Sequence, residues 1–244
     1  MQTSITPQQK KYASANNALK LYKSYIVGEE SSYITLIIYE FLVFLGNFTP
    51  SIFGVAIRIL VYKIFLKKLG KKSYFGKNVE IRNPSKIKIG KKAIVDDNVL
   101  VDARGENANI DIGDFTLIGK NTMIISKNAD IKLEDGVNIS SFCRIASESK
   151  IHIGKSTLIS AYSYIGPGNH SIKADENSQR ASEKMDIKGG VYIGDNCWVA
   201  TRATILDGVK IGNNSIVAAH SFVNKDVPEN VIVAGTPAKI IRYL

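Results

Sequence analysis

Three histidines, His152, His170 and His220, are the side chains of this 244-residue chain best suited to moving a proton near neutral pH. His170 closes the turn Gly166-Pro167-Gly168-Asn169 and opens a polar stretch containing Asp175, Glu176, Glu183 and Asp186. A histidine in such a place is either a proton acceptor oriented by one of these carboxylates or a loop residue held by local charge. The spacing does not choose among the four acids. His152 lies in the charged phrase IHIG and reads as a surface residue, and His220, in AAHSF, reads as a structural or ligand-rim residue. A zinc centre needs three converging ligands, and these histidines show no His-x4-His pair, so no metal is expected.

The elements that must position these residues are legible as a repeat. Ile193, Val199, Ile205, Ile211, Val217 and Val223 fall six residues apart, which is neither a helical period nor the alternation of a long strand. One phrase keeps restarting the chain: IKIG (87–90), IDIG (110–113), IKLE (131–134), IHIG (151–154), VYIG (191–194) and VKIG (209–212). Each restart is followed by two aliphatic residues at six-residue steps, as in Ile112, Ile118, Ile124 and Leu133, Ile139, Ile145. Six coils of three sides thus carry eighteen aliphatic positions, with a partial coil expected at Phe75 and Ile81. A single coil buries nothing, whereas stacked coils bury one continuous column. Between Ile165 and Ile193 about twenty extra residues must leave the prism, so residues 170–190 are expected to form a loop.

The residue before each aliphatic position should point outward. On the first side these are Lys88, Asp111, Lys132, His152, Tyr192 and Lys210, a solvated face. The second side offers Ile94, Leu117, Asn138, Leu158, Trp198 and Ile216, and the third Leu100, Met123, Arg144, Tyr164, Thr204 and Phe222, both mostly apolar. Two apolar outer faces need cover, which predicts association of copies.

The net charge of +10 is concentrated between Arg58 and Lys92, where twelve Lys or Arg meet only Glu80. No nucleic-acid recognition motif accompanies it, so a membrane surface or phosphorylated ligands are the expected partners. Two cysteines give no disulfide framework and occupy inward repeat positions, as small filling in a reducing compartment. The first 30 residues are polar, which predicts no signal peptide. Residues 33–45 and 51–70 are apolar runs separated at Thr49-Pro50 and interrupted by Glu40, Arg58 and Lys63. They predict two helices, either an anchor lying at a membrane interface with basic residues toward head groups or a hairpin packed on the protein or another subunit. The expected organisation is a helical segment at 1–72, a coil domain at 73–226 and a tail at 227–244, in a cytoplasmic protein that can sit peripherally at the inner face of the plasma membrane.

The hexapeptide period, the loop after GNHS, the phrase IGDNCWVA and the ending SFVNKDVPENVIVAGTPAKIIRYL resemble the hexapeptide-repeat acyltransferases, in the galactoside, maltose and polysaccharide O-acetyltransferase branch. The resemblance covers about residues 73–244. It implies a mainly β fold, a left-handed parallel β-helix with an α-helical N-terminal segment, assembled as a homotrimer. It also implies transfer of acetyl from acetyl-CoA to a hydroxyl, with a glycan or glycolipid precursor as acceptor. His170 matches the family's catalytic histidine, which would act as general base. Thr201 and Ala219 match contacts to the pantetheine arm, and Asn224, Lys225, Lys239 and Arg242 match the nucleotide end. Trp198 matches a tryptophan near the acetyl group, although packing at a subunit interface explains it equally. Ala200 and His220 stand where the family usually has glycine, which narrows the expected groove. The alternatives are N-acetylation of an amino sugar, an acyl-carrier-protein-dependent acyltransferase, and a β-helix used only as a scaffold.

Overall fold

The computed structural model describes residues 17–166, the backbone of 169–170 and 185–186, and residues 187–244. Among the described residues, three helices come first. Helix α1, Ala18–Ile26, starts at Asn17, whose side chain accepts from the Leu19 amide at 2.8 Å. Helix α2, Tyr33–Phe48, starts at Ser32, whose hydroxyl accepts from the Thr35 amide at 3.0 Å. These side chains satisfy amides that a first helical turn leaves without partners. Thr49 and Pro50 then break the chain, as the sequence predicts, and α3 runs Ser51–Phe65. No described helix is long and apolar enough to cross a membrane.

From Lys68 onward the chain is a three-sided β-solenoid. Its sides are parallel sheets of seven, nine and seven strands, apart from one antiparallel strand that ends the second. The register places like on like: Leu133 pairs with Ile112 and Ile153, and Ile193 with Ile153 and Ile211. All eighteen aliphatic positions of the repeat are buried, in one column with Phe75 and Ile81. The first coil is complete, with strands Lys68–Leu69, Tyr74–Phe75 and Glu80–Arg82. Its first side was not visible in the repeat because Leu69 alone carries the phase.

The repeated glycine has a steric cause: a Cβ on Gly113 would stand 2.6 Å from the Glu134 carbonyl carbon of the next coil. Beside it, the Asp135 carboxylate accepts from the Asp114 amide at 2.7 Å, and the Asp114 carboxylate from Lys91 at 2.8 Å. The bond from the Lys91 amide, joined by one from the Lys91 side chain, holds the Asp114 carboxyl below its ordinary value.

The helices close the first coil. The Tyr39 and Tyr62 hydroxyls donate to the carbonyls of Ile81 and Val79, each at 2.7 Å, and the Tyr62 ring packs on Phe75 at 4.5 Å. Arg58, only 3% exposed, donates to the carbonyls of Phe75 at 3.0 Å and Gly46 at 2.6 Å. This corrects the expectation that Arg58 faces lipid head groups. A side chain reaching inward from α3 meets two carbonyls, and their capture compensates its desolvation. Helix α1 docks beside them, where the guanidinium groups of Arg82 and Arg104 each lie 4.8 Å from the Tyr25 ring. At the other end, strands Val231–Gly235 and Ala238–Tyr243 form an antiparallel hairpin that extends the second sheet. Terminal repeats need such covers, because an open end exposes both core and strand edge.

Candidate functional site

The sequence-derived residues separate into two groups on opposite edges of the third sheet. The first group lies on the outer surface of the second sheet and the corner that follows it. Trp198 pairs in register with Ile216, Ile216 with Ile232, and Ile232 with Arg242. One column therefore runs from an indole through two isoleucines to a guanidinium. Beside it runs a column of small residues, buried Ala200 and half-buried Ala218 and Ala234, which follow paired positions, and it ends at exposed Lys239 opposite Ala234. Adjacent strands are about 4.8 Å apart, so each column spans about 14 Å over three steps. Thr201 and Ala219 are exposed on the corner beside this surface. The Trp198 indole is pinned by its Nε1–H to the Ser160 hydroxyl at 3.0 Å. Small and apolar groups ending in two cations suit a slender ligand with an anionic terminus.

The second group lies at the corner after the third sheet. Strand Tyr164–Ile165 ends there, and the chain leaves the solenoid. The backbone of Asn169–His170 pairs antiparallel with Met185–Asp186, so His170 sits in the hairpin at the base of the excursion. Its side chain, and the candidates Asp175, Glu176 and Glu183, lie outside the described residues. Asn224 and Lys225 are exposed at this same corner, directly after strand Phe222–Val223. The third sheet separates the two groups by about five extended residues, roughly 16 Å. One chain does not bring His170 to Thr201 and Ala219.

Two features escaped the sequence reading. Asp207 is buried, and its carboxylate accepts from the amides of Lys188 at 2.6 Å and Gly190 at 2.8 Å and from the Ser149 hydroxyl at 3.3 Å. It clamps the returning root of the hairpin that carries His170. Its signal was an acid in ILDGV where an ordinary turn residue would serve. The second feature is a column of left-handed corner residues, among them Phe142, Tyr162, Arg202 and His220, at φ between 59° and 63°. Phe142 and Tyr162 stack at 5.0 Å, and Arg202 lies 5.3 Å from the Tyr162 ring. Bulky residues seldom adopt this conformation. All share one phase, immediately before the small inward residue of the third side. His220 belongs to this column, and its amide donates to the Thr201 carbonyl at 2.9 Å, which puts it beside the proposed arm contacts.

The remaining titratable groups are quieter. His152 stacks on Tyr192 at 4.8 Å, and burial lowers its pKa. Burial pushes the Cys143 and Cys197 thiols up, so neither is an activated nucleophile. Among the described residues, no three His, Cys, Asp or Glu converge on a metal position.

A family model described as bacterial transferase hexapeptide (six repeats) matches residues 190–225. The provisionally named colanic acid biosynthesis acetyltransferase WcaF of Escherichia coli is 33% identical over 131 residues, 51% of this chain and 68% of that protein. The provisionally named lipopolysaccharide biosynthesis O-acetyl transferase WbbJ of the same organism is 35% identical over 117 residues, 46% of this chain and 60% of that protein. The chain spans between about half and two thirds of the length of the first curated relatives it matches. Among solved structures, a point mutant of AntD, an N-acyltransferase from Bacillus cereus, in complex with dTDP and coenzyme A, has a TM-score of 0.53. It is 19% identical, covers 76% of this chain and 89% of its own, and shares the fold. The chain belongs to the hexapeptide-repeat acetyltransferases.

Proposed function

We propose that the protein is an acetyl-CoA-dependent O-acetyltransferase acting on a sugar hydroxyl of a glycan or glycolipid precursor, and that it works as a homotrimer. The observation that carries this reading is the pair of columns on the second sheet, Trp198 to Arg242 and Ala200 to Lys239. Their chemistry suits an apolar arm and a phosphate-bearing end in sequence. The names of the relatives WcaF and WbbJ support the acetyl group and the glycan acceptor.

The division of residues across the third sheet favours the trimer. A head-to-tail ring of three would bring the His170 corner of one copy against the second sheet of its neighbour and close on itself. Exposed Ile94 and Trp198 on the second face and Met123 and Tyr164 on the third would supply the covered surface. In such a junction, His170 takes the proton from the acceptor hydroxyl as its oxygen attacks the thioester carbonyl. The carbon–sulfur bond breaks, and the proton passes from His170 to the departing thiolate. Asn224 and Lys225, on the His170 corner, would meet the ligand from the other subunit's side.

Labelled acetyl-CoA incubated with the enzyme and glycan acceptors tests the proposal. His170→Ala should lower turnover at least ~100-fold, the low end for loss of a general base. The loss should fall on kcat and kcat/KM together, as expected for an interaction made in the transition state. Transfer to amino sugars but not to hydroxyls would overturn the O-acetyl assignment, and near-normal turnover by His170→Ala would overturn the catalytic one.

A further inference from the structure

The α2–α3 hairpin has two faces of opposite fate. Its inner face is fastened to the first coil by Tyr39, Arg58 and Tyr62, so the hairpin is an integral part of the fold. Its outer face is apolar and uncovered. The tip residues Phe48, Ile52 and Phe53 are 79%, 74% and 72% exposed, more than most large apolar side chains of this chain. Along α2 the same face continues through exposed Ile37, Phe41 and Phe44. Between Phe41 and Tyr62 the only charged residue is Arg58, and it is buried.

Charge gathers at the opposite end of the hairpin. Lys63, Lys67, Lys68, Lys71 and Lys72 are all exposed at the root of α3. The acids beside that end belong to the solenoid: Asp111 and Asp130 share a cleft with Lys67, and Asp114 lies within electrostatic reach of Lys68. Helices of 16 and 15 residues are about 24 Å and 22 Å long, short of a bilayer's ~30 Å hydrocarbon core. We propose that this hairpin seats the protein on the surface of an anionic lipid bilayer, with the apolar tip and outer face in the headgroup–acyl boundary and the root lysines among the headgroups. A second copy placed on the same face would bring one acid, Glu40, against five lysines, because α2 and α3 contain no other. This inference does not depend on the catalytic reading.

The test is flotation of the full chain with vesicles of phosphatidylcholine and phosphatidylserine, against vesicles of phosphatidylcholine alone. The wild type should float with the mixed vesicles and at least about tenfold less with the neutral ones, a gap that raised salt narrows. Phe48→Ser with Phe53→Ser should reduce binding to mixed vesicles at least about 30-fold. Its melting temperature should change little, because Phe48 and Phe53 are largely exposed and the ring that Phe48 stacks on, Phe44, is itself exposed. Lys67→Gln with Lys68→Gln should lower binding and weaken its salt dependence. Failure of the wild type to float, or equal flotation of the tip variant, would overturn the proposal. So would a smaller oligomer in the tip variant with flotation retained, which would make the face a contact between copies. Acetyl transfer to a water-soluble sugar should be the same in wild type and tip variant, so loss of flotation and failure of the enzymatic reading give separate results.

Discussion

Asp207→Asn is a direct probe of how the solenoid holds its excursion. The substitution keeps size and shape but turns one of two accepting oxygens into an NH2 group. One oxygen faces the Gly190 amide and the other faces Lys188 and the Ser149 hydroxyl, so either orientation of the new amide sets a donor against a backbone donor. The site cannot relax cheaply, because a Cβ on Gly190 would lie 2.0 Å from the Lys150 carbonyl oxygen and its φ is +101°. Losing one charge-assisted bond and leaving a buried N–H without a partner costs about 2 kcal/mol. That is a factor of about 30 in the local opening constant. Amide exchange followed by mass spectrometry should show residues 188–190 exchanging about 30-fold faster, while Ile131–Leu133, two coils away, keep their protection. If the root positions His170 as proposed, turnover should fall at least about tenfold, with KM for acetyl-CoA little changed. Exchange at 188–190 that moves no more than at Ile131–Leu133 would refute the clamp. Faster exchange with undiminished turnover would separate the clamp from catalysis.

Other substitutions reach the remaining parts of the argument. Arg242→Ala and Lys239→Ala should each raise KM for acetyl-CoA several-fold and leave kcat nearly unchanged, since each removes a contact to an unreacting end. Leu158→Glu, on the outer second side, should yield monomers in sedimentation if that face is covered by a neighbour. His152→Gln tests a pH effect. Because burial depresses the folded-state pKa of His152, the unfolded chain takes up the proton first as pH falls below about 6.5, and stability drops there. The variant should therefore lose less melting temperature than wild type between about pH 7 and 5.5.

The solenoid was legible because its information is local and periodic. Every six-residue step from Ile89 to Val223 within a coil names a residue that the fold buries, and the surplus between Ile165 and Ile193 marks where the chain departs. The proposed ligand surface was legible only as a resemblance, since pairing of Trp198 with Ile216, and on through Ile232 to Arg242, needs three register relations across the chain. What could not be read were contacts made by single side chains to distant carbonyls. Arg58 looks like a surface cation in a helix, and only the arrival of Gly46 and Phe75 makes it a strut. The aromatic corner column was hidden for another reason: Phe142 and Tyr162 occupy a conformation for which glycine or asparagine is the usual cue.

Stacked coils turn residue count into height. The hairpin root leaves the solenoid after the fifth coil, four steps above the coil on which α2 and α3 rest, or about 19 Å at ~4.8 Å per step. The stack thus acts as a ruler between the helical base and the excursion. Ile131 pairs with both Ile110 and Ile151, so removing residues 131–150 would rejoin the column in register and lower the excursion by one step. A chain built this way can change its reach in fixed increments without redesigning either end.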